Sequence, residues 1–156
     1  MAARIVVIDS DLEFGEQVAE LCQRLGVEVE TIADGNEGVQ LVQLDPPAAV
    51  VIGVLDDRGA GYALCSKLRR RLPDLPVAMV LAPDELDSDR LERHQSLRTH
   101  ADLYLERPFR MRRLFNFLNE SLGERLAAPS ESLLDTMIGG QGPSAASFEV
   151  VGDVIE

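Results

Sequence analysis

Residues 48–55 read AAVVIGVL, an uncharged apolar run in which Val50, Val51 and Ile52 are all β-branched. A run of this length and type suits a strand covered on both faces, as in a parallel sheet. Upstream, Arg4–Ile8 (RIVVI) has the same character and ends in Asp9-Ser10-Asp11. The period then changes. Phe14, Val18, Leu21, Cys22 and Leu25 recur at helical spacing, with Gly26 where a helix C-cap belongs. Val27 to Ile32 alternates as another strand, Asp34-Gly35-Asn36 is a turn, and Val39 and Val42 mark a short helix that ends before Pro46-Pro47.

Downstream the alternation repeats. Asp56-Asp57-Arg58-Gly59-Ala60-Gly61 forms a loop, and Leu64, Cys65, Leu68 and Leu72 give a helix stopped at Pro73. Val77 to Leu81 is a fourth strand, Leu86 to Arg98 a weakly amphipathic helix, and Leu103 to Leu105 a fifth strand before Pro108. Met111, Leu114, Phe115, Leu118 and Leu122 make the last amphipathic helix, with Gly123 near its end. Five strands alternating with five helices predict an α/β fold, a doubly wound five-stranded parallel sheet with right-handed crossovers. In such sheets the functional crevice lies outside the carboxyl ends of the strands, which here gathers Asp9, Ser10, Gly53, Leu81 and Arg107.

Composition narrows the function. The formal charge of −12 opposes nucleic-acid binding, which draws on a Lys/Arg excess, and docking on anionic membranes. No apolar run approaches the length of a membrane span, so no membrane insertion is expected. Cys22 and Cys65 have no metal-ligand spacing and read as buried reduced thiols of a cytoplasmic protein. His94 and His100 lack Cys, His or carboxylate neighbours at ligand spacing and read as surface residues. No metal and no cofactor is predicted.

Several stretches together resemble the receiver (CheY-like) domain of two-component response regulators. They are RIVVIDSD, AAVVIGV, the Gly61-Tyr62 pair, PVAMVLA and RTHADLYLERPF, and the resemblance covers residues 3–124. It implies the same five-stranded fold, and a site in which a strand-end aspartate takes a phosphoryl group with Mg²⁺, a hydroxyl and a lysine. Carried over by position, the acceptor falls at Gly53, the second metal-binding carboxylate at Ser10, the hydroxyl at Leu81 and the lysine at Arg107; Asp9 keeps its carboxylate. A small residue at the acceptor, Ser10 between acids, GYALCSKL and LRTHADLYLERPF are similar to the pseudo-receivers of gliding-motility regulators of the FrzS and AglZ type. The resemblance thus implies a non-enzymatic interaction module that works without phosphorylation, through a protein partner. Its docking face would be the fourth helix, fifth strand and fifth helix.

Other readings stay open beside it. Asp56 or Asp57 could serve as substitute acceptors in a conventional phosphorelay, or the vestigial site could hold a small ligand; the plain alternative is a polar turn. Asp9 is expected to pair with Arg107 across the strand ends. Tyr104 matches the aromatic that receivers use as a switch. The basic run Lys67 to Arg71 reads as a solvated helix end or as a docking patch for an acidic partner. Arg110, Arg112 and Arg113 open a helix against its dipole and are candidates for partner binding. From Leu126 the composition shifts, so the receiver is expected to end near Glu124, with residues 125–156 a flexible acidic tail. Within that tail Leu133, Leu134, Met137 and Ile138 would form one apolar stripe of a peptide motif, and Phe148, Val150 and Val151 an added strand.

Overall fold

The computed structural model describes residues 3–23, 26–53, 55, 60–82, 88–123 and 129–138. In chain order the elements are β1 (Arg4–Ile8), α1 (Leu12–Gln23), β2 (Glu28–Ile32), α2 (Gly35–Leu44), β3 (Ala49–Ile52), α3 (Ala60–Arg71) and β4 (Val77–Leu81). They continue as α4 (Ser88–Gln95), β5 (Leu103–Glu106), β6 (Phe109–Arg110), α5 (Met111–Ser121), α6 (Glu131–Leu134) and β7 (Met137–Ile138). The five long strands form one parallel sheet in the order β2-β1-β3-β4-β5. This is the predicted flavodoxin-like sheet. Its central strands β1, β3 and β4 are wholly or nearly wholly buried, as expected of apolar runs covered on both faces.

Alternation along each strand divides the core. Ile5, Val7, Ala49, Val51, Ala78 and Val80 point to one side, where they meet Phe14, Val18 and Leu21 of α1 and Leu114 and Leu118 of α5. Val6, Ile8, Val50, Ile52, Val77 and Met79 point to the other, against Val39 and Val42 of α2 and Leu64, Cys65 and Leu68 of α3. Helix ends follow their sequence signals. The N–H groups of Gly26 (φ 73°) and Val27 return to the carbonyls of Gln23 and Cys22, the hydrogen-bond pair of a left-handed C-cap. Asp34 caps α2 by accepting from Glu37 N at 3.0 Å. Both cysteines are buried free thiols, and desolvation pushes each up to about 12.

The chain after the receiver departs from expectation. Ser130 caps α6, accepting from Leu133 N, and β7 pairs antiparallel with β6 through Phe109–Ile138 and Arg110–Met137. Leu134 and Ile138 are 4% and 0% exposed within the α1–α5 core, and Leu133 packs against it. Residues 130–138 therefore pack on the folded body, and a free apolar stripe does not hold for them. The reason is the short edge offered by Phe109 and Arg110, plus a change from helix to strand at Asp135 that splits the stripe. Only Met137 of its four residues is well exposed. The Gly139–Ser147 linker and the Phe148–Ile155 island lie outside the described residues.

Candidate functional site

Backbone rungs at the carboxyl ends of the strands assemble the predicted crevice. Asp9 N donates to Ile32 O, Gly53 N to Ile8 O and Arg107 N to Leu81 O, at 3.0, 2.8 and 2.9 Å. Asp9, Gly53, Leu81 and Arg107 are thus brought to one edge, with Ser10 half-buried beside them. Asp56 and Asp57 lie outside the described residues.

Asp9 is a completely buried carboxylate. It accepts from Arg107 Nη2 at 2.9 Å and from Asp11 N at 2.6 Å. Arg107 reaches Asp11 Oδ2 more loosely, at 3.4 Å, and its guanidinium lies 4.9 Å above the Phe14 ring. The ion pair is shielded, since the Arg107 side chain is only 11% exposed. A planar guanidinium suits this bridging place better than an ammonium, because it holds two acceptors while stacking on an aromatic face.

Gly53 has a specific spatial consequence. A Cβ built there would overlap Asp9 Oδ2 and come within 2.6 Å of Asp9 Cγ. The carboxylate occupies the space in which any side chain at position 53 would begin. Leu81, at the position of the family's hydroxyl, is 4% exposed and packs in the α2–α3 core. These residues do not fit a Mg²⁺ site. Magnesium needs near-octahedral oxygen ligands, whereas the Asp9 carboxylate is already neutralised by Arg107 and no third acidic ligand converges among the described residues.

A second polar constellation lies under α4, and it corrects the expectation for His94. This side chain is 5% exposed and is the one buried side chain of α4 among the described residues. Its Nε2 faces Tyr62 O at 3.1 Å and Ser66 Oγ at 3.2 Å, while Nδ1 lies 2.6 Å from the Tyr104 hydroxyl. A carbonyl only accepts, so Nε2 carries the proton and Nδ1 accepts from Tyr104. The Tyr104 oxygen accepts in turn from Ala101 N at 2.9 Å. Burial lowers the His94 pKa, opposed by the bond to Tyr62 and reinforced by His100 and Arg90. Burial also pushes Tyr104 up to about 12. Tyr104 is thus hydrogen-bonded to the buried imidazole of α4. Sequence spacing missed this because the partners come from α3, α4 and β5, and no short motif links them. His100 is half-buried, with Nδ1 bonded to Ala101 O at 2.7 Å.

Two of the three basic residues that open α5 are engaged within the chain. Arg112 donates to Glu131 at 2.7 Å and to Asp135 at 3.1 Å, which raises its pKa, and Arg110 reaches Asp135 O at 3.3 Å. Acids of α6 thus answer the unfavourable dipole, and a partner is not needed to explain Arg110 and Arg112. Arg113 has no ion pair among the described residues.

The family model for the response regulator receiver domain matches residues 5–119. The chain is 35% identical over 114 residues to Response regulator MprA of Mycolicibacterium vanbaalenii, covering 73% of this chain and 48% of that protein. It is 33% identical over 131 residues to Response regulator MprA of a Mycobacterium species, covering 84% and 54%. The chain spans about half the length of these curated relatives. Among solved structures it is similar to the signal receiver domain of a signal transduction histidine kinase from Syntrophus aciditrophicus, with a TM-score of 0.67 at 22% identity over 83% of this chain and 96% of that one. It is also similar to the chemotaxis response regulator CheY4 of Vibrio cholerae, with a TM-score of 0.63 at 21% identity over 78% and 99%. These two likenesses concern the fold. No described helix is long and apolar enough to cross a membrane.

Proposed function

The chain belongs to the response regulator receiver domain family of two-component signalling, and we propose that within it this is a pseudo-receiver: a non-enzymatic, phosphorylation-independent module that signals by binding a protein. One observation carries the reading. The Asp9 carboxylate, held by Arg107, fills the space where an acceptor side chain at position 53 would start. Phosphoryl transfer needs a nucleophile in line with the phosphorus, a metal that bridges the oxygens, and a hydroxyl and cation around them. With Gly53, Ser10 and Leu81 in place, three of those parts lack the side chain that does the work. The docking surface proposed is the α4–β5–α5 face, on which His94 and Tyr104 hold α4 in one position. The motif resemblance to motility pseudo-receivers supports a motility or polarity pathway as the setting.

The test is a titration of the full chain with Mg²⁺ and beryllofluoride, followed by amide NMR. The expected spectrum is unchanged. Saturable shifts clustered at Asp9, Asp56, Asp57 and Arg107 would instead make this a conventional receiver with a substitute acceptor, and the proposal would fall.

A further inference from the structure

At the end of the sheet opposite the Asp9–Arg107 pair, the geometry points to a basic docking pocket for a short acidic, leucine-containing protein segment, formed between the end of α3 and the loop from α4 to β5. A cavity of about 530 Å³ lies there, lined by Arg69, Arg70, Pro73, Arg98, Thr99 and His100. The basic run of α3 is visible in the sequence, but its meeting with Arg98 and His100, some 28 residues later, is a product of the fold.

The lining cations differ in how far they are already spent. Arg69 donates to Asp102 Oδ2 at 2.7 Å and to Leu75 O at 3.1 Å, so it holds the wall together. Arg70 and Arg98 are exposed and enter no ion pair among the described residues. His100 donates through Nδ1 to Ala101 O and the Thr99 hydroxyl donates to Ser66 Oγ at 2.9 Å, so these two shape the wall while the arginines supply its donors. The two arginine forks, Arg70 from α3 and Arg98 from the loop, recognise carboxylates by paired N–H donors. Exposed Pro73 in the same lining gives an apolar side chain of the segment a place to lie.

Charge distribution decides the class of occupant. Of the 15 Lys and Arg residues only Arg4 and Arg24 precede Asp57, while Glu13, Glu16, Glu20 and Glu28 stand exposed along α1 and β2. With a net charge of −12, the rest of the surface repels any polyanion that runs beyond the pocket. A nucleic acid or an anionic membrane would suffer that repulsion over its length. A segment of a few residues would meet only the pocket. This inference stands apart from the phosphorylation question, because its residues lie away from Asp9 and Gly53.

The test uses the full chain and a fluorescein-labelled peptide of alternating Glu and Leu, read by fluorescence anisotropy at low and at elevated salt. Binding should saturate, weaken with salt, and shift the amides of Arg70, Arg98, Thr99 and His100. Combined Arg70→Glu and Arg98→Glu should weaken it about tenfold or more, a change of about 1.4 kcal/mol or greater. Combined Lys67→Glu and Arg93→Glu alters the net charge equally, on α3 and α4, without touching the lining, and should weaken it less than about threefold. Should the reversed pocket fail to fold, the amide shifts of the unaltered protein locate the site by themselves. Equal losses from both pairs, equal binding of a Gln/Leu peptide, or shifts away from these residues would overturn the proposal. So would tighter binding of a short single-stranded oligonucleotide, or displacement of the peptide by inorganic phosphate at comparable concentration.

Discussion

Removing Arg107 tests the strand-end site most directly. Arg107→Ala leaves Asp9 wholly buried, with the Asp11 N–H still donating to it. Breaking a buried ion pair from one side costs about 3–5 kcal/mol. The lower end applies here, because the Asp11 N–H continues to satisfy the carboxylate. Losing the guanidinium over Phe14 adds about 0.5–1 kcal/mol. Asp9→Asn keeps the size and the acceptor for Asp11 N, and Arg107 retains Asp11 as an acidic neighbour, so this change should cost about 1–2 kcal/mol. The double variant removes both charges together. It should lose less than the sum of the singles by about 1.5–3 kcal/mol, the coupling expected of residues in direct contact. Urea unfolding of the four proteins, with unchanged slopes against denaturant, measures the cycle. Additivity within about 0.5 kcal/mol would mean that the 2.9 Å contact contributes nothing, and the closed-pair account of the site would be wrong.

Three further outcomes are expected. Gly53→Asp should destabilise by about 1–3 kcal/mol, since its Cβ collides with the Asp9 carboxylate, and incubation with acetyl phosphate and Mg²⁺ should leave no acid-labile phosphate on it. Because the folded protein lowers the His94 pKa below 6.5, the unfolded chain binds that proton more readily; the stability contribution is complete above 6.5 and is lost as pH falls from there through the lowered value. A plot of melting temperature against pH should therefore be flatter for His94→Phe than for the unaltered protein between about pH 7.5 and 5.5, and parallel curves would count against a buried neutral histidine. Truncation after Gly123 should lower the melting temperature by several degrees, because burial of Leu134 and Ile138 contributes about 1.5–3 kcal/mol each before the cost of ordering the segment. An unchanged melting temperature would show that the segment packs without stabilising.

The fold was legible because its information is local. RIVVI, AAVVIGVL and VAMVL declare buried strands by composition, and the intervening periods, Gly26 and Pro73 mark where helices stop. The absence of a carboxylate at position 53 was legible too, since Gly53 can be read from the residue alone. What could not be read was anything set by a long-range partner. His94 looked like a surface residue because Tyr62, Ser66 and Tyr104 sit 32, 28 and 10 residues away in sequence, and only the packing of α3, α4 and β5 closes the ring. Arg110 and Arg112 looked available because the answering acids arrive from α6, beyond a compositional break that resembles a linker. Both contacts were hidden for one reason: a polar residue in a helix pattern is assigned to solvent unless something nearby claims it. The same logic separates the cations that line the pocket. Arg69 is claimed by Asp102, 33 residues on, whereas Arg70 and Arg98 have no such claimant among the described residues. A charge left exposed after every internal claim is counted is better evidence for an external partner than the charge run from which it came.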